Sequence, residues 1–168
     1  MPKLLLAIAT LATALLVAGC GSTSPTAATS PSPAAASPSP VVASPSPTGG
    51  TTIGVATDAK LGQILVDGSG KTVYLFVADT GKASTCYTSC AQAWPPVLAT
   101  GAPKAGAGAQ ASLLGTTKRT DGTTEVTYAG HPLYYFVRDA KAGDTTGQGV
   151  NGFGALWWVL SPSGTAVH

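Results

Sequence analysis

Cys86 and Cys90 are the first side chains here that could carry chemistry. A Cys-x-x-x-Cys pair can be a disulfide, a thiol redox couple or half of a soft-metal site. Cβ atoms four residues apart on a regular helix lie about 5–6 Å from each other, whereas a disulfide wants about 3.5–4.5 Å. An oxidised pair therefore needs a loop or distorted turn, which Ser84-Thr85 and Thr88-Ser89 permit. Copper sites built on such a pair recruit His and often Met. The one methionine is Met1, and the histidines are His131, in an expected hairpin turn, and His168, the last residue. The pair is read as a structural disulfide, with Cys86, Cys90 and His131 as the alternative thiol-redox or copper set.

Other reactive patterns are thin. A nucleophile needs a positioned base, and His131 is the only internal histidine; the 7 acids are scattered. Gly147 to Gly152 fits G-x-G-x-x-G but has no strand before it and no helix after it, and Gly70-Lys71-Thr72 lacks the first glycine of a phosphate loop. Residues 147–154 read as a long flexible loop. No enzyme activity and no cofactor are expected.

The strongest pattern is a repeat. Tyr74-Leu75-Phe76-Val77-Ala78-Asp79 returns 60 residues later as Tyr134-Tyr135-Phe136-Val137-Arg138-Asp139, both of the form Tyr-x-Phe-x-x-Asp. At that offset 6 of the 14 positions from Val66 to Asp79 are identical, so one supersecondary unit is used twice. Tyr74, Phe76, Tyr134 and Phe136 are expected to pack the core. Asp79 and Asp139 are expected to end their strands, turning their carboxylates onto the next few backbone N–H groups.

The elements that must position these residues are strands. Gly62–Val66 leads through a Gly-rich turn to Lys71–Val77, and Thr124–Tyr128 through Ala129-Gly130 to Leu133–Val137, two hairpins with Gly70 and Gly130 in matching places. Tyr74 and Phe76 alternate with Val73, Leu75 and Val77, so both faces of that strand are apolar and should be covered. The run Ala155–Leu160 has the same character, and no long amphipathic helix follows residue 19. The expected fold is mostly β: a single domain over 53–168 of two pseudo-symmetric repeats, about 53–110 and 111–168, in a sandwich or partly open barrel. Each half alone would be marginal in size.

The N-terminus addresses the chain. Lys3 precedes an uncharged apolar run, Leu4–Val17, too short for a permanent span but suited to a signal peptide over 1–19. The run ends Val17-Ala18-Gly19-Cys20, small residues before a thiol that can take a diacylglyceryl group. Residues 20–52 read as lipidated Cys20 and a disordered linker rich in Ser, Pro, Ala and Thr. At about 3.1 Å per residue, some 30 residues of it reach roughly 90 Å. Without Lys3, 8 basic side chains stand against 7 acidic ones, so no nucleic-acid partner is expected.

The chain resembles the predicted bacterial lipoproteins with a Tyr-x-(Phe/Trp/Tyr)-x-x-Asp motif, also described as a secreted repeat of unknown function. The resemblance rests on Cys20, both motif copies, Cys86 and Cys90 before Trp94-Pro95-Pro96, and Gly143–Gly149 ahead of Trp157. It implies a lipid-anchored, extracytoplasmic domain of tandem copies and brings no catalytic residue with it. The second copy lacks the cysteines, so thiol chemistry is not what the repeat itself is for. The expected function is a non-catalytic binding or envelope-structural module at the outer face of a bacterial cell membrane, with the bilayer and an envelope protein or ligand as partners.

Overall fold

A computed structural model describes residues 50–168. The signal segment, Cys20 and the linker up to residue 49 lie outside the described residues. Strand β1 (Thr52–Asp58) pairs antiparallel with β2 (Gly62–Asp67), Val55 opposite Leu65, and parallel with the short β4 (Lys104–Ala105). Between β2 and β4 lie β3 (Tyr74–Phe76) and one short helix, α1 (Ser89–Ala93). The second repeat contributes β5 (Leu114–Lys118), β6 (Thr124–Tyr128) and β7 (His131–Pro132), paired in that order. It closes with β8 (Asn151–Gly152) and β9 (Ala155–Val159), and β9 lies between β3 and β8. The fold is mostly β, in three small sheets that do not close into a barrel.

The two repeats are interlocked. The motif strand of the first, β3, pairs with β9 of the second, Tyr74 opposite Val159 and Phe76 opposite Trp157. The matching segment of the second repeat, 133–137, receives 93–97 of the first through Tyr135 N–H to Pro95 O (2.8 Å), Val97 N–H to Leu133 O (2.8 Å) and Val137 N–H to Ala93 O (3.1 Å). Tyr74 and Tyr134 exchange both backbone hydrogen bonds, at 2.8 and 3.0 Å, where the two motifs cross antiparallel. Each half thus completes the other's sheet, which is why neither need be stable alone.

Both faces of this layer are covered. Tyr74, Phe76, Cys86, Cys90, Trp94, Tyr134, Phe136 and Trp157 pack on one side, with Ile64 and Val66. Val73, Leu75, Val97, Val126, Tyr128, Leu133 and Leu160 pack on the other. The alternation expected along β3 holds through Leu75, but Val77 falls past the strand end and is exposed.

Three details depart from the sequence pattern. The offset of 60 aligns Val66 with Val126, yet Leu65 and Val126 make the corresponding bonds, accepting from Val73 and Leu133 and donating to Leu160 and Val97. The first hairpin carries one extra turn residue, so its strand is shifted by one and its faces exchange. Glu125 therefore stands where the first repeat has the apolar Ile64. The stretch 147–154 is not free: it contains β8, and the Gln148 side chain donates to Val167 O (2.7 Å) and accepts from Val159 N–H (2.9 Å). The third departure concerns the motif aspartates.

Candidate functional site

Each motif tyrosine is bonded to the other motif's aspartate. Tyr74 Oη donates to Asp139 Oδ2 and Tyr134 Oη to Asp79 Oδ2, both at 2.6 Å, between fully buried phenols and nearly buried carboxylates. The second oxygen of Asp79 accepts from Thr85 N–H (2.7 Å) and Oγ1 (2.6 Å), and that of Asp139 from Thr146 N–H (3.0 Å) and Oγ1 (2.6 Å). The carboxylates do not cap the turn directly after their strands, as expected; they reach six and seven residues on and across to the partner repeat. A buried carboxylate needs its lone pairs filled, and a phenol held by the opposite strand fills one that a short turn could not reach. Burial, followed by the Asp139 bond at Tyr74 and by the Glu125 charge and the Asp79 bond at Tyr134, holds both phenols well above the ordinary range.

The aromatic rings between these clasps form a continuous stack. Phe76 lies on Trp157 (4.1 Å), Trp157 on Trp94 (4.0 Å) and Trp94 on Phe136 (4.1 Å), with Tyr74 and Tyr134 edge-on. Gly147 packs against the stack, because a Cβ there would stand 2.8 Å from the Trp94 ring and 2.9 Å from Tyr74. Its N–H also points at Tyr74 Oη (3.3 Å).

Beside the Tyr134–Asp79 clasp lies a buried ion pair. Arg119 Nη1 donates to Glu125 Oε2 (2.8 Å) and Ser84 Oγ (2.7 Å), and Nη2 to Cys86 O (2.7 Å). Ser84 Oγ is also 2.7 Å from Tyr134 Oη, and since the single phenolic hydrogen goes to Asp79, the serine hydroxyl donates there. Glu125 is fully buried and its Oε1 has no partner. Burial outweighs the Arg119 bond and pushes its carboxyl up to about 7. Neither residue stands out in the sequence, although the shifted register of β6 explains why Glu125 faces inward.

Cys86 and Cys90 are joined in a disulfide, Cα atoms 5.2 Å apart, and both are buried. Cys90 lies in α1 and Cys86 in the loop before it, with Thr88 between them at φ 50, so the pair sits in a distorted turn. The bridge braces the loop whose Ser84, Thr85 and Cys86 O serve Asp79 and Arg119. The sulfurs are bonded to each other and present no thiolate, and His131 lies in β7, opposite Tyr128. No three His, Cys, Asp or Glu side chains converge as a metal set among the described residues.

Where the stack nears solvent a groove of about 540 Å³ opens, floored by Trp94, Phe136 and Val150 and rimmed by Val137, Arg138 and Phe153. A second depression, about 510 Å³, is lined by Ala, Gly, Thr, Pro and Leu, with no charged or aromatic side chain. The clasps, the stack and the ion pair all lie inside, and the groove beside the stack shows solvent an apolar surface with Arg138 at its rim.

Residues 55–98 and 115–161 each match the family described as a secreted repeat of unknown function. The chain belongs to this family. The two matched copies contain the two clasp tyrosines and both stacked tryptophans, so the secreted repeat is the unit that folds by exchanging strands. Membership places the domain outside the cytoplasm, and no described helix is long and apolar enough to cross a membrane. No curated protein and no solved structure matches the chain.

Proposed function

We propose that this secreted repeat is a membrane-anchored binding module that performs no catalysis, held at the outer face of the cell membrane by acyl chains on Cys20. One observation carries the non-catalytic reading: the polar groups of the repeated motif are used on one another. Tyr74 is spent on Asp139 and Tyr134 on Asp79, so the motif offers no acid, base or nucleophile to a cleft. The anchoring rests on the small residues before Cys20 at the end of an apolar run. Two acyl chains suffice for stable attachment.

Cell fractionation tests the anchor: the wild-type chain should stay with washed membranes and Cys20→Ala should be released. Retention of the variant would overturn it. Thiol counting with elemental analysis separates the binding module from an extracytoplasmic redox or copper protein using Cys86 and Cys90. The expected result is two oxidised sulfurs that resist mild reduction, with no metal; stoichiometric copper would reverse the reading.

A further inference from the structure

We infer that the end of the domain formed by the β8–β9 hairpin docks on an anionic bilayer, the one to which Cys20 tethers the chain; this rests on the anchoring reading above. The hairpin turns through Phe153 and Gly154, at φ 58 and 93. Such two-residue turns suit Asn or Gly at the first position, and a bulky residue there costs on the order of 1–3 kcal/mol. Phe153 bears that strain and is still 50% exposed. The strained position holds an aromatic side chain at the solvent edge of the groove.

The ring is not alone. The Leu156 carbonyl, on the same hairpin, accepts from Val77 N–H, and Val137 lines the same groove as Phe153. Val77, Val137, Phe153 and Leu156 are four of the five large apolar side chains that the domain exposes, and the fifth is Leu98. Arg138 stands at the rim of the groove.

Folding also sorts the charges. Asp79, Glu125 and Asp139 are buried but only one base, Arg119, is. Six cations are exposed, namely Lys60, Lys82, Lys104, Lys118, Arg138 and Lys141, against Asp121, while Asp58, Asp67, Asp144 and Lys71 are half-buried. A near-neutral chain thus shows more cations than carboxylates to solvent. An aromatic tip with aliphatic neighbours and Arg138 at the groove rim matches the headgroup region of an anionic bilayer, which holds rings at its edge and attracts each nearby Lys or Arg by about 1 kcal/mol. The patch is small, but a linker reaching at most about 90 Å keeps the bilayer at high effective concentration, so weak contact suffices.

The test couples the full mature chain through Cys20, its one free thiol while Cys86 and Cys90 are bridged, to a maleimide-headgroup lipid in vesicles. The added indole of Phe153→Trp should shift to the blue and lose at least half its emission to brominated acyl chains when the vesicles contain phosphatidylglycerol. The effect should be much smaller on phosphatidylcholine or in high salt. Leu98→Trp, exposed outside the groove, should show no quenching. Phe153→Asn, suited to left-handed backbone, should unfold at the same or a higher urea concentration while losing vesicle-induced protection of the 150–156 amides from exchange. Unchanged Phe153→Trp emission, equal quenching at both positions, or self-association that shields the ring without lipid would each overturn the docking. Chemical coupling makes this outcome independent of whether cells acylate Cys20, which fractionation decides.

Discussion

The indole rings of Trp94 and Trp157 lie face to face, 4.0 Å apart and 3° from parallel, and each covers a phenylalanine of the other repeat's motif. Trp94 serves Phe136, and Trp157 serves Phe76. The contact is the hydrophobic counterpart of the Tyr–Asp clasps, since both join halves that could not bury these rings separately.

Truncating either tryptophan should therefore disrupt the whole domain. Trp94→Ala and Trp157→Ala are each expected to cost about 3–5 kcal/mol in urea unfolding. The double variant should depart from additivity by at least about 0.5 kcal/mol, because the rings touch. Strict additivity would mean that the stack is not energetically shared.

The clasps predict a matched pair of losses. Tyr74→Phe and Tyr134→Phe each remove one hydrogen bond to a carboxylate, worth about 1.5–3 kcal/mol. Equilibrium unfolding should show lower midpoints with an unchanged denaturant slope. A variant as stable as the parent would show that water replaces the phenol.

Glu125 predicts a pH dependence. Its folded carboxyl lies near 7 against an ordinary 4.5, so the folded state binds a proton that the unfolded state releases. Stability from this group is complete below about pH 4.5 and is lost as pH rises through about 7, a few kcal/mol in all. Asp67, whose hydrogen bonds outweigh burial and lower its carboxyl, acts oppositely and loses its contribution only as pH falls through the acid range below 3.8. Urea midpoints should fall between pH 4.5 and 7, and Glu125→Gln, still able to accept from Arg119, should flatten that slope. A slope that survives the substitution would assign it to another group.

Gly147→Ala should destabilise by about 1–3 kcal/mol through overpacking against Trp94 and Tyr74. Gly101→Ala, with nothing near its Cβ position and no positive φ, should be close to neutral. Thermal melts of the two variants make the comparison directly.

Much of this was legible in the chain. The two motif copies announced the repeat, and the both-sided apolar pattern of Val73–Phe76 announced a strand covered on both faces. The geometric limit on Cys86 and Cys90 announced a distorted turn, because such signals are local and sequence carries local signals well. The register of β6 was not legible: a single extra residue in one hairpin turn exchanges the faces of a strand, and the identity of Val66 with Val126 concealed it. Phe153 was not legible as a hairpin-turn residue, because the glycines on either side of it made 147–154 read as one flexible loop.

The amino-acid sequence by itself determined the doubled unit and its β character and marked the motif aromatics as core, since each follows from composition and spacing along the chain; that Cys86 and Cys90 are bridged was decided by the structure. Only the tertiary structure decided what those residues meet. It gave Tyr74 to Asp139 and Tyr134 to Asp79, stacked Trp94 on Trp157, and drew three acids inside while leaving six cations in water. Partners 55 and 65 residues apart are chosen by the exchange of strands between repeats, and no periodicity along the chain records that exchange.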